Sequence, residues 1–113
     1  MSQITTHVLD TSKGLPAKGI QITLQGNDGN GGWKELGAGT TDSDGRISDL
    51  LDPNTLLEPG KYRMVFSTGN YYSAQNTAGF YPSVPIEFET TDTSHYHIPL
   101  LLNPFGYSTY RGS

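Results

Sequence analysis

A chain of 113 residues with no cysteine and a formal net charge of −4 has room for one hydrophobic core and must fold without disulfides or thiolate metal sites. Its negative charge is dispersed rather than blocked, which disfavours nucleic acid and anionic membrane as partners. No apolar run approaches the roughly 20 residues that span a bilayer, and the opening MSQITTHVLD has neither the basic nor the apolar stretch of a signal peptide. A soluble, cytoplasmic protein is therefore expected, folded as a single domain over residues 1–113.

Period-two alternation, the mark of a half-buried strand, begins at once. In QITTHVLD, Ile4, Thr6 and Val8 share one face, while Thr5, His7 and Leu9 share the other. After the turn signals Gly14 and Pro16, GIQITLQG sets Ile20, Ile22 and Leu24 against Gln21, Thr23 and Gln25. GNDGNGGW at 26–33 reads as a hairpin loop. The dipeptide Asp44-Gly45 is a tight-turn signal that puts Arg46 at the first residue of a strand. KYRMVFST alternates Tyr62, Met64 and Phe66 with Arg63, Val65 and Ser67. The stretch 69–80 lacks alternation, and Asn70 is placed to cap one short helix ending near Gly79. VPIEFET sets Val84, Ile86 and Phe88 against Glu87 and Glu89; HYHIPLLL sets Tyr96, Ile98, Leu100 and Leu102 against His95, His97, Pro99 and Leu101. Six to eight short strands separated by turns predict an all-β, two-sheet β-sandwich with one short helix.

With the richer apolar faces turned inward, His7 and His97 project from outer faces beside Leu9, Leu101 and Tyr107 or Tyr110. Apolar side chains set outward among polar ones mark an association surface, so a symmetric oligomer with the C-terminal segment lining a groove is expected. His7, His97 and Arg46 are the residues suited to chemistry. Imidazoles exchange protons near neutrality, and a guanidinium stabilises a developing oxyanion or a flat anionic ligand. Each also has a plain structural alternative, since single strand histidines and post-turn arginines are commonly surface groups. The i, i+2 spacing of His95 and His97 is further compatible with a zinc site completed by a third histidine, although Arg46 and the lack of an evident supporting acid argue against it. No phosphate-cradling glycine loop, nucleophile elbow or paired-carboxylate signature is present.

HVLDTSKGLPAKGIQITL, TDSDGRI, FYPSVPIEF and above all HYHIPLLLNPFGYSTYRGS resemble the 5-hydroxyisourate hydrolases, the transthyretin-related enzymes of urate and purine degradation. The resemblance covers about residues 4 to 113. Its most specific element is the closing Tyr-Arg-Gly-Ser, which the hormone-carrying transthyretins of the same fold lack. The resemblance implies a transthyretin-like (prealbumin-like) sandwich, a homotetramer built as a dimer of dimers, a small-molecule substrate, and no metal or other cofactor. It implies catalytic roles for His7, Arg46 and His97 and substrate-binding roles for Tyr110, Arg111 and Ser113. The alternatives are a non-catalytic transthyretin-like binding protein and, more remotely, an immunoglobulin-like adhesion domain.

Overall fold

The computed structural model describes residues 2–112. Eight strands and one helix follow in the order β1 (Ile4–Asp10), β2 (Leu15–Pro16), β3 (Gln21–Asn27), β4 (Trp33–Thr40), β5 (Gly60–Phe66), α1 (Thr68–Ser73), β6 (Val84–Thr90), β7 (Tyr96–Asn103) and β8 (Gly106–Thr109). They form two four-stranded sheets, β2-β1-β7-β8 and β4-β3-β5-β6.

Alternation decides which side chains meet between the sheets. Ile4, Val8, Leu100 and Leu102 from one sheet and Ile22, Leu24, Met64 and Phe66 from the other are almost wholly buried. Fully burying one such aliphatic or aromatic side chain is worth about 1.5–3 kcal/mol. β6 follows the same pattern more weakly: Val84 is buried, but Ile86 and Phe88 are only half-buried because β6 is an edge strand. β1 and β7 are parallel, with Thr5 opposite His97 and His7 opposite Pro99. Two segments about ninety residues apart in sequence thus become neighbours, and their outward side chains share one surface.

Two local expectations are corrected. The helix is Thr68–Ser73, not a segment capped by Asn70 and ended near Gly79. Ser67 stands at the N-cap, Asn70 lies inside the helix, and Asn76, at φ 55°, takes the left-handed conformation three residues before Gly79. Arg46 opens no strand. It makes only an isolated antiparallel bridge with His7, and the irregular chain that follows is held by burial of Ile47, Leu50 and Leu51. Pro99, on the outward set, is nonetheless buried. Its strand is interior to the sheet, and the Thr109 hydroxyl on β8 donates to the Pro99 carbonyl at 2.6 Å.

Candidate active site

The site begins with a turn. The Asp42 carboxylate accepts from the backbone N–H groups of Asp44 (2.9 Å) and Arg46 (3.1 Å), and the Asp42 N–H donates to the Arg46 carbonyl at 2.8 Å. The Arg46 bond first, and then the Asp44 bond, hold the Asp42 carboxyl below its ordinary range. Gly45 stands at φ +74° with a Cβ position overlapping the Val8 carbonyl oxygen, and its own carbonyl accepts from the Val8 N–H at 2.9 Å. The turn is thereby fastened to β1 next to His7, and only glycine fits. Gly45→Ala is expected to lower stability by about 1–3 kcal/mol, read as a reduced urea midpoint, and to lower activity with it by moving Arg46.

From this turn the Arg46 guanidinium reaches His7, Nη2 to Nδ1 at 3.5 Å. On the neighbouring strand, His97 Nδ1 lies 2.8 Å from the Thr5 hydroxyl oxygen, which also lies 2.7 Å from His95 Nε2. The His95 and His97 rings are stacked at 28° with centroids 6.4 Å apart. Arg46, Thr5, Ser48, His95 and His97 line an open cavity of about 580 Å³. A larger concavity of about 690 Å³, near Lys13 and Tyr71, lies elsewhere and contains none of these groups.

The environment of His97 suits a proton acceptor. Burial lowers its pKa first, the positive charge of Arg46 lowers it further, and the neighbouring His95 and His7 imidazoles act in the same direction. The imidazole is therefore held more firmly in its neutral form at neutral pH than an ordinary histidine. In an NMR titration His97 is expected to protonate below the ordinary imidazole value of about 6.5. Arg46→Gln should raise that value only part of the way, because burial, the larger cause, persists. The same shift has a stability consequence. Acidification through about 6.5 protonates the unfolded histidine before the folded one, so the contribution of this group is present above that pH and declines below it.

The C-terminal segment closes over the same strand. The Gly112 N–H donates to the His97 carbonyl at 2.8 Å, and a Cβ on Gly112 would sit 2.5 Å from His97 Cδ2. The Arg111 guanidinium lies over the Tyr96 ring, 4.7 Å from its centroid. That ring is fixed by its hydroxyl, which donates to Asp92 at 2.8 Å and accepts from the Thr91 N–H at 3.0 Å. Tyr110 is exposed and shares with Arg111, Tyr96, Ile98 and His97 a second cavity of about 320 Å³. His97 thus borders both cavities. Ser113 lies outside the described residues.

Of the residues singled out by sequence, His7 and Arg46 are in contact, and Arg46 and His97 face one cavity. Arg111 and Tyr110 lie to the other side of His97. Among the described residues no three metal-capable side chains converge. Sequence reasoning gave no role to Thr5 and weighed His95 only through its spacing from His97. Thr5 stood on the face of His7 in the alternation, but what makes it notable is the parallel β1–β7 register, which local pattern does not carry.

Residues 4–112 match the HIUase/Transthyretin family. A 5-hydroxyisourate hydrolase from Salmonella typhimurium is 45% identical over 111 residues, covering 97% of this chain and 80% of that protein. The 5-hydroxyisourate hydrolase structure from Klebsiella pneumoniae superposes with a TM-score of 0.84 at 32% identity, over 97% of this chain and 92% of that one. Sea bream transthyretin, solved in complex with thyroxine, gives 0.91 at 29% identity, over 98% and 95% of the two chains.

Proposed function

The chain belongs to the HIUase/Transthyretin family, and on that basis we propose that it is a hydrolase opening the ring of 5-hydroxyisourate in urate degradation. The observation that carries this reading is the imidazole–guanidinium cluster of His7, Arg46 and His97, in a chain 45% identical to a protein named for that activity. The product is 2-oxo-4-hydroxy-4-carboxy-5-ureidoimidazoline. A water oxygen adds to the ring carbonyl carbon, the C–N bond breaks, and the departing nitrogen takes a proton. The step needs a base for the water, a positive group for the tetrahedral oxyanion and an acid for the nitrogen.

In this reading His97, kept neutral by burial and by Arg46, exchanges protons with water, and Arg46 orients the substrate and stabilises its charge. His7, held against Arg46, supplies the second imidazole. Tyr110, Arg111 and Ser113 border the substrate site, with Arg111 anchored on Tyr96. The functional particle is a homotetramer, a dimer of dimers. Its support is the exposed Phe80, Phe105, Tyr107 and Tyr110 together with the open edges of β6 and β8, since unpaired edges invite pairing with a second chain.

The similarity to a transthyretin solved with thyroxine supports a second reading, a binder that captures a flat ligand without reacting. The two separate on the decay of freshly prepared 5-hydroxyisourate. A hydrolase consumes many equivalents of substrate at an initial rate proportional to protein, whereas a binder perturbs at most one equivalent per site. Light scattering tests the assembly, and a mass equal to one chain would remove the tetramer.

A further inference from the structure

The Thr5 hydroxyl has one proton, yet it lies within hydrogen-bond distance of two imidazole nitrogens, His95 Nε2 at 2.7 Å and His97 Nδ1 at 2.8 Å. It can donate to only one of them, so the other nitrogen must carry a hydrogen and donate to it. The tautomers of the two histidines are therefore linked through this oxygen.

We propose that Thr5 is a positioning residue: it accepts from His97 Nδ1–H and donates to His95 Nε2, leaving His97 Nε2 as the bare, basic nitrogen of the site. Two features favour this direction over the reverse. A guanidinium is donor-only, so beside Arg46 an acceptor nitrogen is better placed than another N–H. In the reverse arrangement a neutral His97 has no free lone pair and cannot take a proton from water. The 3.5 Å contact of Arg46 with His7 Nδ1 has the complementary effect. That nitrogen must be the acceptor, so neutral His7 carries its proton on Nε2. One imidazole is then set as base and the other as hydrogen-bond donor.

The same bonds form a relay. A proton taken up at His97 Nε2 releases the Nδ1 proton to Thr5, and Thr5 passes its own to His95 Nε2. His97 returns to neutrality, Thr5 is unchanged and His95 gains one proton. His95 is exposed, so the charge is handed to solvent rather than held beside Arg46. Among the described residues, the other charged and titratable groups around this pair include His7 on β1, Asp42 and Arg46 on the turn, Glu87 and Glu89 on β6, Tyr96 on β7, and Tyr110 and Arg111 on the C-terminal segment.

This inference deepens the proposed hydrolase reading and rests on it for the catalytic consequence, but the tautomer is measurable without substrate. Long-range ¹H–¹⁵N spectra of labelled protein at neutral pH should give His97 as the Nδ1–H tautomer, and Thr5→Val should move it toward Nε2–H. Thr5→Val should lower kcat about 10- to 100-fold with KM changed less than about twofold, and displace the acid limb of the pH–rate profile. Thr5→Ser should restore both. His95→Asn should cost about as much as Thr5→Val, and the double variant little more, as members of one chain behave. A wild-type His97 carrying its proton on Nε2 overturns the proposal. So does unchanged kcat in folded Thr5→Val or in His95→Asn, which keeps the test available should Thr5→Val fail to fold. The predicted tautomers in a protein that leaves 5-hydroxyisourate untouched would instead count against the substrate assignment.

Discussion

Replacing His97 by alanine, or Arg46 by glutamate, is expected to lower kcat/KM on 5-hydroxyisourate by about 10²–10⁴-fold, the range for loss of a positioned acid–base group or oxyanion donor. Circular dichroism and the thermal midpoint should stay close to wild type. The fold tolerates both changes for identifiable reasons. The His97 side chain lies on the outer face of β7, away from the packed Tyr96, Ile98 and Leu100. The turn that carries Arg46 is held by its backbone N–H and carbonyl, not by its guanidinium. Arg46→Glu does more than delete a donor. It exchanges a positive neighbour of His97 for a negative one, so the His97 pKa should rise and more of the imidazole should be protonated, and idle as a base, at neutral pH. Near-normal turnover by either folded variant would count heavily against the assigned roles.

The second large effect is expected at a residue with no side chain. Gly112→Val places a Cβ 2.5 Å from His97 Cδ2, closer than carbon atoms approach. Either the ring tilts or the C-terminal segment lifts and gives up its bond to the His97 carbonyl. Because misplacing a reacting group by about 1 Å can cost 10²-fold, activity should fall about 10- to 100-fold while the thermal midpoint moves by only a few degrees. Gly106→Ala is the control. It lies in the β7–β8 hairpin, and its added methyl meets only the Asn103 amide, at 3.6 Å. Equal losses of activity in the two variants would mean that contact with the ring is not what matters. A chain ending at Thr109 should reproduce the Gly112→Val defect, since it removes Tyr110 and Arg111 as well.

Much of the sandwich was legible because one periodicity dominates it. Ile20, Ile22 and Leu24 had to face the core if Gln21, Thr23 and Gln25 were to stay out of it, and they do. The same reasoning set His7 and His97 outward, where both are half-buried. Legibility failed where long-range partners override local pattern. WKELGAGT alternates poorly and has no buried residue, yet it is a strand because β3 pairs with it along its length. Arg46 follows a strong turn signal, but the partner of that turn is β1, nearly forty residues earlier, and the outcome is one bridge rather than a strand. Asn76 ended the helix before Gly79, since a short polar side chain tolerates the left-handed conformation. At the site, the residue types announced proton chemistry. The Thr5–His97 neighbourhood needed the parallel pairing of the first and seventh strands, for which no local signal exists.

The most direct measurement is the absorbance decay of freshly generated 5-hydroxyisourate at neutral pH, followed with buffer, with the wild-type chain and with His97→Ala at equal concentrations. The predicted result is decay far faster than the spontaneous rate with wild type, and decay close to the buffer rate with the variant. A wild-type trace that coincides with buffer, or a variant trace that coincides with wild type, would contradict the account.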